Sequence, residues 1–174
     1  MPLILSPALR RAIPAATIRR AITHDAGELL TLQHAWWAKQ ALASGTVTPA
    51  PLRQTTRDVR AWVLDWRTVV VRSGSRIVAT ARARRSGDAW LITGLMTAPD
   101  ITDSCVADEL LDVMEQEAPR DPIRFIVVTA ANIPGNDELY ARAGYEPAEL
   151  PAAIKLACGT EKREGVVALE KPRR

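Results

Sequence analysis

The spacing of apolar residues along the chain changes from a helical to a strand-like period near residue 68. Between Asp25 and about Ala43, apolar positions recur every three or four residues, a pattern typical of a helix. A Pro-containing connector follows, and a second stretch with the same period begins after a capping residue at Thr55 or Thr56. The first part of the chain therefore predicts a strand over residues 17–23 followed by two helices.

From residue 68 onward, apolar residues alternate with polar ones or form short runs bounded by turn residues. Gly94 interrupts the third of these runs and predicts a bulge or a close approach of backbone at that position. A helix over residues 104–118, a further strand, a short helix beginning at Asn136 and a last strand complete the pattern. The predicted strands cover residues 68–72, 76–84, 89–97, 125–129 and 166–170.

This order of elements predicts the α/β class, with one domain over residues 17–174 built on a mixed, mostly antiparallel sheet and about four flanking helices. Residues 1–16 are broken by Pro2, Pro7 and Pro14, so we expect them to form an extension outside the fold. A chain of 174 residues is long enough to bury a packed core.

Composition narrows the classes of function. Apolar residues make up 47% of the chain and charged residues 25%, which is typical of a globular domain. The net charge is only +3, and Lys and Arg form no concentrated stripe with interleaved aromatic residues, so we expect no nucleic-acid partner. Two cysteines are too few for a disulfide framework or a zinc site, so we expect no metal. No apolar stretch approaches the ~20 residues of a membrane span, and we expect a cytoplasmic protein.

Residues 136–147 carry the strongest indication of chemistry. Asn136 can cap the start of a helix, and Gly144 stands where a helix can end in the left-handed conformation. Asn136 and Tyr140 are four residues apart and therefore share one face of that helix. A phenol presented in this way, beside the end of a strand, can donate a proton into a cleft.

This segment resembles the GNAT N-acetyltransferases, which transfer an acetyl group from acetyl-CoA to an amine. The same resemblance is found in residues 95–100 and in the pair Leu110 and Leu111 of the helix that follows them. The resemblance extends over residues 17–171, and residues 169–173 resemble the last strand of an actinobacterial-type branch. It implies that the fourth and fifth strands separate to admit the pantetheine arm of acetyl-CoA. It also implies a small-molecule or peptide amine as the acceptor and a homodimer as a possible assembly.

The loop before that helix departs from the family's pattern of glycines around the CoA pyrophosphate. Asp103 adds a negative charge where phosphates are expected, and only Ala107 conforms to the pattern. Asp103 is also an N-cap residue, so we expect it to cap the helix itself and to weaken CoA binding. The resemblance implies cofactor contacts at Leu95, Met96, Thr97, Thr102, Asp103, Ser104, Cys105, Val106, Ala107 and Asn136.

Tyr140 matches the tyrosine that protonates the departing CoA thiolate in this family, and a phenol is a suitable acid for a thiol leaving group. The alternative is a tyrosine packed on the sheet with its hydroxyl hydrogen-bonded to the backbone. No residue stands out as the base that deprotonates the amine. His24, His34, Glu28 and Asp65 are candidates, and each is also explained as a solvated surface residue.

Two further sets of side chains admit two interpretations each. Arg82 and Arg84 project from one strand face, toward an anionic ligand or toward solvent. Four tryptophans on the first two helices either form the wall of an acceptor pocket or pack in the core or a dimer, and they are Trp36, Trp37, Trp62 and Trp66. Two functions therefore stand open: an N-acyltransferase that uses Tyr140, and a GNAT-fold binding module that has lost efficient CoA binding.

Overall fold

The computed structural model describes residues 5–13, 15–44, 50–103, 105–131, 133–149 and 166–173. Its helices are α1 (Pro7–Ala12), α2 (Ala26–Ser44), α3 (Thr56–Asp65), α4 (Cys105–Gln116) and α5 (Asn136–Arg142). Its strands are β1 (Ala16–Arg20), β2 (Arg67–Ser73), β3 (Arg76–Ser86), β4 (Ala89–Thr97), β5 (Arg124–Ala130), β6 (Glu146–Ala148) and β7 (Val166–Pro172). Two 3₁₀ turns cover Thr23–Asp25 and Ala50–Arg53.

The seven strands form one mixed sheet in the order β1-β2-β3-β4-β5-β7-β6. Every neighbouring pair is antiparallel except β4 and β5, which run parallel. A parallel pair requires a crossover, and α4 supplies it between these two strands. The predicted mixed α/β sheet is confirmed.

Helix α4 covers one face of this sheet. Its first-turn Val106 is fully buried, as are Leu110 and Leu111, and the indole N–H of Trp90 donates to the carbonyl oxygen of Met114 at 2.8 Å. Side chains alternate along a strand, so the neighbours of Trp90 on β4 point to the other face. They form a second, smaller apolar cluster there, made of Ala89, Leu91, Ile126 and Val128 with Trp66 packed against it.

The described residues 5–13 contradict the expectation that the N-terminal segment lies outside the fold. Helix α1 packs against α4, and Leu9 is fully buried while Ile13 is 2% exposed. Pro7 occupies the first helical turn, where a missing N–H breaks no intrahelical bond, and the Ser6 hydroxyl caps that turn. The Ser6 amide also donates to Glu109 Oε1 at 2.8 Å. Pro7 therefore starts a helix, and the buried side chains of Leu5, Leu9 and Ile13 belong to the core, while Pro2 and Pro14 lie outside the described residues.

The first strand ends earlier than residue 23, where the sequence predicted its end, whereas the long helix begins within one residue of the predicted Asp25. Strand β1 ends at Arg20, and the 3₁₀ turn at Thr23–Asp25 precedes α2. Asp25 closes this turn by accepting the Ile22 amide and two hydrogen bonds from Arg19, both at 2.7 Å. The Arg19 guanidinium accordingly lowers the pKa of Asp25. Among the described helices, none has the length and apolar character needed to cross a bilayer.

Candidate functional site

Strands β4 and β5 separate partway along their length. They pair from Ala89 opposite Arg124 to Thr93 opposite Val128, and the pairing ends there although both strands continue. The break coincides with Gly94, which has a left-handed φ of 64°. On the β3 side, Arg82 pairs with Thr93 while Thr80 pairs with Met96, so one β3 residue faces two residues of β4. This is the bulge predicted at Gly94, and it marks the point where β4 leaves β5.

Beyond Gly94 lies the β4 segment of Leu95, Met96 and Thr97, of which Met96 and Thr97 pair with β3. No described residue of β5 pairs with it, so its backbone groups on that side have no strand partner in the described part of the chain. The Met96 side chain is buried, while those of Leu95 and Thr97 are half-buried. An open strand edge of this kind can pair with an extended, amide-bearing ligand.

Tyr140 lies beside this opening. Its ring is 2% exposed and packs in the main core, where it meets Tyr145 edge-on at a centroid distance of 6.0 Å. Its hydroxyl lies near the Thr129 side chain, one residue beyond the last β5 residue that pairs with β4. Burial raises the pKa of Tyr140 to about 12, and the neighbouring Thr129 side chain acts in the opposite direction. The phenol is therefore protonated at neutral pH.

The short helix α5 holds Tyr140 differently from the sequence prediction. The residue before the helix is Gly135, at a φ of 82°, and no side chain caps the helix start, so the prediction that Asn136 caps it is wrong. Asn136 instead donates from its side-chain amide to the Thr129 hydroxyl at 3.0 Å. Gly144 has a φ of 84°, as expected of a left-handed helix end, and Tyr145 N–H bonds the Tyr140 carbonyl at 2.9 Å.

Asp103 caps helix α4, as the sequence predicted. Its Oδ1 accepts the backbone N–H of Cys105 at 2.9 Å, and this bond lowers the pKa of the exposed Asp103 carboxyl. The Asp103 carboxylate thus accepts a hydrogen bond from a backbone amide at the helix start, and this amide would otherwise be available to an anionic ligand. Burial, and then Asp103, raise the pKa of the Cys105 thiol to about 11, so this cysteine is not an activated nucleophile at neutral pH.

The remaining residues of the expected pyrophosphate loop are arranged around this cap. Thr102 is exposed, Val106 is buried in the core, and Ala107 is half-buried against it. Ser104 lies outside the described residues. A short connection after β4 joins the strand opening to this loop. In it, the Ala98 amide donates to the Val78 carbonyl, and the Ile101 amide donates to the Ala98 carbonyl.

On the sheet face opposite α4, Trp62 of α3 and Trp66, the residue that follows the end of α3, pack against two arginines of β3. The Arg82 guanidinium carbon lies 4.5 Å from the Trp62 ring centroid and 5.6 Å from that of Trp66, and the Arg84 carbon lies 4.3 Å from Trp66. Guanidinium stacking of this kind orients a long side chain along the sheet. A Cβ added to Gly94 would sit 3.4 Å from the Arg82 guanidinium, so this stack reaches the bulge.

The candidate bases do not converge on the opening. Glu28 accepts from Arg72 at 3.0 Å and also from the Ile77 amide, which makes it part of the fold. His24 and Asp65 are exposed, and His34 is half-buried on α2. The four tryptophans of the first part of the chain form two groups. Trp62 and Trp66 stack with Arg82 and Arg84, whereas Trp36 and Trp37 contact each other edge-on at 5.0 Å. In the described part of the chain, no three His, Cys, Asp or Glu side chains form a metal-ligand group.

Thr129, which accepts the Asn136 amide, was not predicted from the sequence. It precedes two alanines at the end of an apolar strand and carries no motif, so nothing local marks it. A groove of about 580 Å³ lies at the other end of β5, lined by Phe125 and Lys171 and by residues 142–144 at the end of α5.

Solved structures with the same fold are numerous. The chain superposes on PaiA N-acetyltransferase from Thermoplasma acidophilum in complex with coenzyme A, at a TM-score of 0.69 and 10% identity over 91% of this chain and 99% of that one. A GNAT-family acetyltransferase from Staphylococcus aureus Mu50 matches at 0.68 and 10%, covering 92% and 100%. N-acetylglutamate synthase from Neisseria gonorrhoeae, complexed with coenzyme A and N-acetyl-glutamate, matches at 0.68 and 16%, covering 91% of this chain and 35% of that one.

These likenesses show a shared architecture at low sequence identity. No protein-family model matches the sequence, and no curated protein is similar to it at a significant level. The chain has the GNAT acyltransferase fold, a mixed sheet whose fourth and fifth strands separate.

Proposed function

We propose that the protein is an acyl-CoA-dependent N-acyltransferase that acts on a small-molecule or peptide amine. The observation that carries this proposal is the end of β4–β5 pairing at Thr93, which leaves the backbone of residues 95–97 open on one side. The pantetheine arm of acetyl-CoA is an extended chain with two amides, and an open strand edge is a fitting surface for it. The coenzyme A present in two of the structural neighbours supports the same ligand class.

In the proposed reaction, the amine nitrogen attacks the thioester carbonyl carbon directly. A carbon–nitrogen bond forms, the carbon–sulfur bond breaks, and the CoA thiolate leaves. Backbone N–H groups of residues 95–97 polarise the carbonyl oxygen, and Tyr140 donates a proton to the thiolate. The amine loses its extra proton to water, since the described candidates for a base lie elsewhere or are bound within the fold.

The raised pKa of Tyr140 sets a limit on this step. A phenol of pKa about 12 transferring its proton completely to a thiolate of pKa ~8.5 moves it uphill by about 3.5 units, or about 5 kcal/mol. Tyr140 therefore acts first as a hydrogen-bond donor to the developing thiolate. Any group that stabilises the phenolate makes the transfer easier.

The two halves of the expected cofactor site fit CoA unequally. The β4 edge suits pantetheine, whereas the start of α4 presents a carboxylate to the pyrophosphate. We therefore expect weak CoA binding that depends mainly on the pantetheine arm. A thermal-shift series with CoA, acetyl-CoA and longer acyl-CoAs tests the proposal, and stabilisation by an acyl-CoA is the expected result.

Calorimetry of the Asp103→Gly, Cys105→Gly double variant tests the loop. Removing the carboxylate and one side chain is expected to tighten CoA binding severalfold, with Asp100→Gly as a control that removes a nearby exposed carboxylate paired with Arg76. Micromolar binding by the unmodified protein that the double change leaves alone would refute the weak-binding proposal.

The Asp103 cap also favours a second function, a GNAT-fold module that binds another ligand or a partner chain and performs no acyl transfer. The Asp103 carboxylate satisfies an amide at the start of α4, so the helix start is stabilised without a bound phosphate. A flat thermal-shift response to every acyl-CoA, for the unmodified protein and the double variant alike, would support this function and refute the transferase.

A further inference from the structure

Two arginines of β3 lie beside the strand opening, on the sheet face opposite α4. Arg84 pairs with Leu91 of the smaller apolar cluster, and Arg82 pairs with Thr93, the last β4 residue that pairs with β5. Residues directly opposite each other on neighbouring strands share one face, so both arginine side chains lie on the face of Leu91. The Arg82 guanidinium lies 3.4 Å from the position that a Cβ on Gly94 would take. A positive charge therefore stands at the residue where β4 and β5 separate.

Trp62 adds a hydrogen-bond donor to this pair of cations. The residue is 8% exposed, and its ring centroid lies 4.5 Å from the Arg82 guanidinium carbon. Its indole N–H is buried and meets no acceptor in the part of the chain that the structure describes. The indole of Trp90, by contrast, donates to the Met114 carbonyl oxygen at 2.8 Å. An indole nitrogen can only donate, and a buried donor without an acceptor is costly, so the Trp62 N–H indicates a place for a ligand oxygen.

The Trp66 ring holds the two guanidinium groups near each other. The Arg84 guanidinium carbon lies 4.3 Å from its centroid and that of Arg82 lies 5.6 Å from it. Stacking engages the flat face of a guanidinium, whereas a carboxylate binds along its N–H edge, with two parallel hydrogen bonds. Two guanidinium groups and one indole N–H are all donors, and together they fit an anion that has more than one acceptor oxygen.

We propose that Arg82, Arg84 and Trp62 bind the carboxylate of the amine acceptor, so that the acceptor is an amino acid and not a simple amine. This inference rests on the proposed function and names the substrate class of the same site. The CoA phosphates are expected at the start of α4, which covers the other face of the sheet, so the arginines suit the acceptor and not the cofactor. The open edge of residues 95–97 begins one residue after Gly94, about 3 Å along the strand. A carboxylate bound beside Gly94 therefore keeps the attached amine close to the thioester.

An NMR experiment tests this binding without any turnover. The chain has five tryptophans, and a Trp62→Phe variant assigns the Trp62 indole N–H resonance. The probes are the standard amino acids and their α-carboxamides, which keep the amine and the side chain but lack the carboxylate. We expect at least one amino acid to move the Trp62 indole proton resonance downfield, because a carboxylate oxygen accepts its hydrogen bond, and the matching amide to leave it near its original position.

Substitutions in a thiol-release assay test the individual contacts. We expect KM for the amino acid to rise about tenfold or more in Arg82→Gln and in Arg84→Gln and severalfold in Trp62→Phe, with KM for acyl-CoA unchanged. Arg85→Gln is the matched control, because Arg85 follows on the same strand, pairs with Trp90 and so lies on the face of α4. It should leave both KM values near those of the unmodified protein.

The outcomes separate this inference from the proposed function. An amino acid that moves the Trp62 resonance in a protein that releases no thiol from any acyl-CoA would support the carboxylate site while the transferase fails. Thiol release that is as fast with the amides as with the amino acids would overturn the carboxylate site while the transferase stands. A rise in KM for acyl-CoA alone in Arg82→Gln and Arg84→Gln would assign the arginines to a cofactor phosphate and would also overturn it, as would a Trp62 resonance that no amino acid moves. If a variant fails to fold, the comparison of acids with amides decides the question on the unmodified protein.

Discussion

Tyr140 and Tyr145 are a matched pair for testing the proposed acid. Both residues are buried, at 2% and 4% exposure, and the Tyr145 hydroxyl is hydrogen-bonded within the protein. Tyr145 donates to Glu115 at 2.9 Å, and Glu115, near the C-terminal end of α4, also binds Lys171. Changing each tyrosine to Phe therefore removes one buried hydroxyl in both cases, but only Tyr140→Phe removes it from the proposed site.

The expected effect on turnover is large for Tyr140 alone. General acid catalysis contributes about 10²- to 10⁴-fold, so kcat of Tyr140→Phe should fall by that factor. Tyr145→Phe should keep kcat within a few-fold. At neutral pH, Tyr145→Phe also loses a hydrogen bond to a carboxylate, worth about 1.5–3 kcal/mol. The assay is thiol release from acetyl-CoA with an amine found by screening, together with urea unfolding of each variant.

The same variant also has a predicted effect on alkaline stability. The pKa of Tyr140 is about 12 in the folded protein and ~10 in the unfolded chain, so the folded state holds its proton longer. Its contribution to stability is therefore complete below pH 10 and lost as the pH rises through 12, about 3 kcal/mol for a two-unit difference. Tyr140→Phe should flatten this part of the stability curve.

Two results would refute the reasoning about Tyr140. If Tyr140→Phe keeps the kcat of the unmodified protein in a demonstrated transfer reaction, the phenol is not the acid. If its stability between pH 10 and 12 falls as steeply as that of the unmodified protein, the burial inferred for the hydroxyl is wrong.

Three further changes test particular parts of the fold. Leu9→Ala should cost about 2–5 kcal/mol in urea unfolding because Leu9 is fully buried, whereas the exposed neighbour Arg10→Ala should cost almost nothing; equal effects would contradict the packing of α1. Gly94→Ala should lower the free energy of unfolding by about 1–2 kcal/mol and weaken acyl-CoA binding, because alanine disfavours the left-handed φ of 64° and its Cβ would contact Arg82. A neutral effect would argue against the bulge. Cys105 should react slowly with iodoacetamide at pH 8 in a Cys158→Ser background, since its thiol pKa is about 11, and Asp103→Asn should speed the reaction; rapid alkylation of the parent would contradict the burial of the thiol.

Local sequence patterns determined much of the architecture. The 3.6-residue period placed α2 and α3, and Thr55 caps α3 through a reciprocal pair of hydrogen bonds with Asp58. The alternating runs located β2, β3 and β4, and Gly144 marked the end of α5. These features depend on residues a few positions apart, so the order of amino acids alone contains the information.

The functional geometry was decided by contacts between distant parts of the chain. Asp103 could be recognised as a cap because its partner is two residues away, but Ser6 finds Glu109 and Arg82 finds Trp62 only in the folded protein. Asn136 was expected to cap its own helix and instead reaches across to Thr129. A side-chain amide can satisfy its hydrogen bonds locally or across a fold, and the packing of α5 against the end of β5 selects between the two.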